Sequence, residues 1–315
     1  MEQPATLHQH EFEQTIVSLY GDRGAVWLQG LSSLIAGCEA RWSIAVGMPL
    51  PHLTYNYVAP ATGPDGTAQI LKLGVPNPEL LSEIDALRFY RGRGCVRLLA
   101  WDAGVGALLL ERLQPGTPLS RLCPGDDERA TSAAAGVMRA LWRPAPAVHN
   151  FPTVGRWAAG FQRLRARFEG GTGPLPEARV RQAEQIFADL LASAGEPVLL
   201  HGDLHHDNIL DAGCGTWRAI DPKGVVGEPA YEVGALLRNP FPALLSWPHP
   251  ERILARRLAQ LSAELGLDRQ RLLEWALAQA VLSAWWCVED RVPCLEGALA
   301  CAELLAGLQG SRTAA

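Results

Sequence analysis

Between residues 43 and 113 the chain reads as strand-like runs around a single helix, and beyond about residue 126 it turns helical almost to its end. The stretches "TYNYVAP" and "TAQILKL" are separated by "ATGPDG", whose Pro64-Asp65-Gly66 is a strong turn signal, so a β-hairpin is expected there. Pro76 and Pro78 introduce "PELLSEIDALRFYRGRG", a helix ended by Gly92 and Gly94. Two more strands come next, "VRLLAWD" and "GALLLERL", joined at Ala103-Gly104-Val105. The order strand, strand, helix, strand, strand predicts a small, mostly antiparallel sheet carrying one helix. Before it, residues 8 to 40 read as two helical stretches with Gly21 and Gly24 between them. After it, "QPGTPLS" reads as a connector, and helices are expected over about 126–142, 154–168, 176–194 and from 228 onward. A short apolar strand, "PVLL", interrupts them at 197–200. The expected fold class is α+β, with a β-rich N-terminal domain over 1–112 and a helix-rich C-terminal domain over 113–315.

Composition narrows the function classes. The uncharged stretch from Gly24 to Cys38 is too short and too polar to span a bilayer. The opening "MEQPATLHQHEFEQ" lacks the basic start and apolar run of a signal peptide, so a cytoplasmic protein without membrane partners is expected. The 7 cysteines are scattered without a C-x-x-C pair, which argues against a disulfide framework and a thiolate zinc knuckle. Most of them are expected to act as small buried hydrophobes. A net charge of −5 disfavours nucleic acid as a partner. Of 28 basic residues all but Lys72 and Lys223 are arginines. A lysine surviving such a bias points to a place where a compact ammonium is needed.

The stretch "HGDLHHDNIL" at 201–210 crowds histidines and aspartates together, and the residues after it decide between a histidine metal site and a carboxylate one. In "NILDAGCGTWRAIDPKG", Ile209-Leu210 and "TWRAI" read as two short strands around a turn. The residues flanking such a hairpin, Asn208 and Asp221, lie side by side. An amide oxygen next to a carboxylate suits Mg²⁺, a hard cation that prefers oxygen ligands. Asp203 lies on the loop entering the same place. The spacing H-x-D-x-x-x-x-N with a later Asp matches the catalytic loop and metal-binding aspartate of protein kinases. Lys72 falls on the strand that closes the N-terminal hairpin and precedes a helix carrying Glu83, as a phosphate-gripping lysine and its partner require. Glu79, one turn earlier on the same face, is the alternative partner.

These residues carry a family resemblance. "HGDLHHDNIL" together with "AIDPKGVVGEPAYEVGALLRNP" resembles the aminoglycoside phosphotransferases, and more narrowly their streptomycin 6-phosphotransferase and hydroxyurea phosphotransferase branch. "EIDALRFYRGRGCVRLLAWD" and "LSAWWCVED" are similar to the same branch, so the resemblance spans roughly residues 45 to 290. It implies a protein-kinase-like bilobal fold, ATP as donor and a hydroxyl of a small, cationic aminoglycoside, streptomycin first, as acceptor, with hydroxyurea or another small hydroxylated metabolite as the alternative. It further implies Asp203 as catalytic base, Asn208 and Asp221 as Mg²⁺ ligands, and Lys72 with Glu83 on the nucleotide phosphates. The backbone from Glu111 to Leu113 is expected to line the adenine cleft. One departure stands out: in place of G-x-G-x-x-G the chain has "GMPLPHLTYNYV", so Leu53 to Asn56 are expected to cover the phosphates.

Other readings compete at several positions. A zinc hydrolase would use His201, His205 and His206 as ligands, but Asp203 precedes the His pair, and His8, His10, His52, His149 and His249 are scattered. The histidines are expected to support the loop, with His206 a possible contact to substrate or phosphate. A non-catalytic nucleotide-binding module is the reading from another class, and intact Asp203, Asn208, Asp221 and Lys72 argue against it. Lys223 could be a loop lysine in an ordinary surface ion pair. Glu228 and Glu232 are either helix-start carboxylates or contacts to a cationic acceptor. Trp286, Glu289 and Asp290 share a helix face that suits a guanidinium or ammonium sugar, with the alternative of packing tryptophans beside a solvated acidic face.

Overall fold

In a computed structural model the chain forms two compact units, residues 1–114 and 115–315, and the structure describes residues 4–51 and 53–310. Met1–Gln3, His52 and the side chain of His8 lie outside the described residues.

The first unit opens with helices α1 (Pro4–Tyr20) and α2 (Asp22–Trp42). Gly24 lies inside α2 rather than between the helices; a methyl group there would come within 2.5 Å of the Ile16 carbonyl oxygen of α1, so its place in the sequence reflects close helix packing and not a turn. Then come β1 (Ala45–Val46), β2 (Tyr57–Thr62), β3 (Ala68–Leu73), α3 (Pro78–Tyr90), β4 (Leu98–Asp102) and β5 (Ala107–Glu111). The strands form one antiparallel sheet of order β1-β2-β3-β5-β4. Asn77 starts α3 by accepting the Glu79 and Leu80 amides on its side-chain oxygen, with Pro78 preset for the first turn. The core joins Phe12 and Ile16 of α1, Trp27 of α2 and Ala59, Leu71, Leu73 and Leu109 of the sheet.

The second unit is mainly helical: α4 (Asp127–Leu141), α5 (Val154–Ala158), α6 (Gly160–Arg167), α7 (Glu177–Ala192), α8 (Val233–Leu237), α9 (Pro250–Leu265), α10 (Arg269–Glu289) and α11 (Leu295–Gly310). Helix α10 is its core, with Trp275 and Trp285 buried and Phe187 and Tyr231 edge-on to Trp275. The helix expected over 154–168 breaks at Ala159, where Gly160 approaches α10 so closely that a methyl group would meet Leu282 at 2.8 Å. Two small antiparallel ladders lie among the helices. One pairs β6 (Val198–Leu200) with β9 (Val225–Gly227), and the other pairs β7 (Ile209–Asp211) with β8 (Trp217–Ala219). The structure corrects the cysteine expectation at one pair. Cys287 and Cys294 form a disulfide, because the chain folds back just past the end of α10 and brings their Cα atoms to 5.6 Å. Cys38, Cys95 and Cys301 are buried thiols, as expected.

Candidate active site

In the first unit, Lys72 is paired with Val58 and Leu108 across the sheet, and its side chain is buried. Its ammonium donates to both Glu83 oxygens, at 2.7 and 2.9 Å. Glu79 is exposed in the first turn of α3, so the geometry selects Glu83 as partner. A buried ion pair of this kind is costly to desolvate and weak evidence of stabilisation. Its placement reads better as a positioned charge. Glu111 ends β5, accepting the Arg97 amide at 2.8 Å, and Leu113 lies in the half-buried segment before the second unit. Leu53 to Asn56 form irregular chain ahead of β2.

In the second unit, the loop from 201 to 208 is held from below. His201 is completely buried; its Nε2 donates to the Ile220 carbonyl at 2.7 Å and its Nδ1 accepts the Asp203 amide at 3.2 Å. Both contacts need the neutral ring, and burial pushes its pKa down to about 4. Gly202 has φ +89°, and a methyl group there would lie 2.8 Å from the Trp157 ring and 2.9 Å from Val225. The His201 and Gly202 amides donate to the two oxygens of Glu232, at 2.7 and 2.9 Å. Burial pushes that carboxyl up to about 7, against the pull of these two amides.

Asp203 comes next, with its carboxylate part-exposed. Burial alone would raise its pKa, but His205, Arg238, Lys223 and His201 together hold it below the usual carboxylate range. Arg238 lies 3.5 Å away and is anchored by a hydrogen bond to buried Gln279. The Asn208 amide donates to the Asp203 carbonyl at 3.0 Å, which leaves its oxygen as the remaining acceptor. The Ile220 amide donates to the Asn208 carbonyl at 2.9 Å, at the mouth of the β7–β8 hairpin. Asp221, with a left-handed φ of 58°, is the next residue. The hairpin thus brings residues 208 and 221 to the same end of its ladder, and an amide oxygen and a carboxylate are the hard-oxygen donor types that Mg²⁺ prefers. Lys223 and Gly224 return to the loop, donating their amides to the His201 carbonyl at 2.8 and 3.2 Å.

The remaining sequence candidates divide. His206 is 0% exposed, which corrects its reading as a substrate or phosphate contact. Glu228 is buried, and its carboxylate takes the Arg271 guanidinium, at 2.8 and 2.9 Å, and the Trp275 indole. Glu228 and Glu232 are therefore corrected from acceptor contacts to internal anchors, since both are buried and their oxygens are taken by internal donors. Trp286 is half-buried and edge-on to Trp157, which touches Gly202, so this aromatic pair borders the loop. Glu289 is held by Arg163 at 2.6 and 2.9 Å, and Asp290 is exposed at the end of α10. Arg238 and Trp157 carry no spacing signal in the sequence. Both reach the loop through tertiary packing alone.

Comparison with known proteins gives this geometry its family. Residues 41–291 match the model of the family described as aminoglycoside/hydroxyurea antibiotic resistance kinase. The chain belongs to that family. It is accordingly an enzyme of the phosphotransferase class, as the family resemblance in the sequence implies. A hydroxyurea phosphotransferase of Kitasatospora aureofaciens is 38% identical over 92% of this chain and 83% of its own length. A streptomycin 6-kinase of Streptomyces griseus is 31% identical over 91% of this chain and 92% of its own. Among solved structures, the aminoglycoside phosphotransferase APH(4)-Ia covers 90% of this chain and 99% of its own with a TM-score of 0.63 at 15% identity. That likeness shows the fold: this antibiotic kinase family member is α+β and protein-kinase-like.

Proposed function

We propose that the protein is an ATP- and Mg²⁺-dependent O-phosphotransferase that phosphorylates a hydroxyl of a small acceptor, with streptomycin or a related cationic aminoglycoside first among them. The observation that carries this reading is the Asp203 carboxylate. It stays part-exposed and ionised on a loop whose His201, Gly202 and Asn208 are all tied inward. An ionised carboxylate at that position accepts a hydrogen bond from the acceptor hydroxyl and orients its oxygen toward the γ-phosphorus. As the new O–P bond forms and the bond to ADP breaks, the hydroxyl proton passes to Asp203. A carboxylate held low is a weak base, which suits a loose transition state in which the proton leaves late. Lys72, fixed by Glu83, would take charge on the nucleotide phosphates, with the 111–113 backbone beside the adenine. Asn208 and Asp221 would hold the Mg²⁺, which when bound supplies charge neutralisation at the transferring phosphoryl group. Arg238 keeps Asp203 ionised and Lys223 adds to the same field. An ATP-dependent reaction of this kind belongs in the cytoplasm, where its donor is.

For the acceptor, Trp157 with Trp286 offers an aromatic wall beside the loop, and Asp290 with Glu289 an acidic edge suited to a cation. A second reading, hydroxyurea, draws on one observation: Arg163 already occupies both oxygens of Glu289, which leaves less negative charge for a cationic sugar. ADP release measured against streptomycin, other aminoglycosides, hydroxyurea and simple amino sugars decides between them. The expected result is the highest kcat/KM on streptomycin. Turnover of hydroxyurea alone would move the assignment to the second reading, and no acceptor-dependent ADP release on any of them would overturn both.

A further inference from the structure

A second group of donors lies beside the catalytic loop, and the phosphoryl chemistry leaves it unused. Cys123, just past the 3-10 turn Leu119–Leu122, Asp127 in the first turn of α4, and His206 bring a sulfur, a carboxylate oxygen and an imidazole nitrogen within 4.8 Å of one another. His206 is fully buried, and neither ring nitrogen has a hydrogen-bond partner among the described residues. An unsatisfied buried polar group costs about 1–3 kcal/mol. Native interiors ordinarily meet such a group with a water or an ion. A surface cavity of 530 Å³, lined by Pro124, Asp126, Asp127, Arg252 and Arg256, adjoins one member of this group, Asp127.

We propose that Cys123, Asp127 and His206 form a binding site for a borderline transition-metal dication of the zinc type, distinct from the Mg²⁺ position at Asn208 and Asp221. The donor set is one sulfur, one nitrogen and one oxygen, which suits Zn²⁺ or Co²⁺ and would leave the fourth tetrahedral position to water. Mg²⁺ is a poor fit, because it demands oxygen ligands. Both His206 ring nitrogens lie buried without a hydrogen-bond partner among the described residues, so a nitrogen donor is at hand. Cys123 keeps its proton in the absence of metal and donates it to the Asp127 carboxylate at 3.3 Å. On binding, the S–H bond breaks, the proton leaves to solvent and a sulfur–metal bond forms. No electron transfer is involved. Arg256 and Arg257 also donate to Asp127, so its carboxylate is shared between guanidinium and metal. The new thiolate charge offsets the added positive charge.

The test uses the full chain, stripped of metal by a chelator, with its disulfide intact and no nucleotide present, titrated with Co²⁺ as spectroscopic probe. The expected result is tetrahedral ligand-field absorption with a thiolate-to-cobalt charge-transfer band, saturating at a single equivalent. Zn²⁺ should displace it and excess Mg²⁺ should not. Cys123→Ser should lose the charge-transfer band while Cys214→Ser, at the exposed thiol, keeps it. Asp221→Asn should leave the band in place, separating this site from the nucleotide-linked cation. If Cys123→Ser does not fold, His206→Gln provides the second reading, with Zn²⁺ affinity weakened on the order of tenfold or more. Absence of the charge-transfer band, its survival in Cys123→Ser, or unchanged Zn²⁺ affinity in His206→Gln would overturn the proposal.

Discussion

His201 and Glu232 are two buried titratable residues that together hold the loop from 201 to 208, and they respond to pH with opposite signs. The His201 ring has a folded pKa of about 4 against an ordinary 6.5. Above pH 6.5 the ring is neutral in folded and unfolded chains alike, and its support of the loop is fully present. As pH falls from 6.5 toward 4, the unfolded chain takes up a proton that the folded one refuses, and stability is lost. A displacement of this size corresponds to about 3 kcal/mol. Glu232, pushed up to about 7 from 4.5, acts the other way. Its buried carboxyl favours the folded state below pH 4.5, and that contribution fades as pH rises through 7. His201→Gln removes the first effect and leaves the second. Thermal melts at pH 7 and pH 5 should therefore show a larger acid-induced drop in Tm for the wild type than for the variant. Equal drops would mean that His201 is not held neutral.

At the scale of elements, one buried guanidinium ties three helices. Arg257 of α9 is 0% exposed and donates to both Asp127 oxygens of α4, at 2.5 and 3.0 Å. It also reaches the Asn239 carbonyl past the end of α8, at 2.6 Å. Arg257→Met deletes the charge but keeps much of the volume, leaving Asp127 buried with Arg256 alone. Breaking a buried pair from one side costs about 3–5 kcal/mol. Urea unfolding should show a loss of that order, and a loss under about 1 kcal/mol would place the helix packing, not the ion pair, in charge. This scale also separates what the sequence reveals from what it hides. The β2–β3 hairpin is legible because Pro64-Asp65-Gly66 marks its turn and alternating apolar residues mark its strands. The break between α5 and α6 is not, because its cause is the close approach of Gly160 to α10, a partner more than a hundred positions away. Strands as short as β1 and β9 carry too few residues for any periodicity to show. The Cys287–Cys294 disulfide depends on how the chain turns after α10, which cysteine spacing alone does not encode.

Across the whole molecule, the candidate site is readable wherever its geometry is local. Asp203, Asn208 and Asp221 lie within 19 residues joined by one short hairpin, so their spacing predicts their meeting. Lys72 and Glu83 are 11 positions apart on a strand and the helix after it, and only the choice between Glu83 and Glu79 depends on tertiary structure. Glu232 and Arg238 lie some 30 positions or more from the loop residues they hold, and nothing in their sequence context points to that loop. Among the described residues no helix is long and apolar enough to cross a membrane. The central claim is that Asp203 orients and deprotonates the acceptor while other residues hold the nucleotide. The most direct measurement compares wild type and Asp203→Asn for phosphoryl transfer from ATP to the best acceptor, alongside nucleotide affinity. Loss of a positioned general base predicts a fall in kcat on the order of 10²-fold to 10⁴-fold, with ATP affinity nearly unchanged. An Asp203→Asn enzyme that turns over at the wild-type rate would contradict the account.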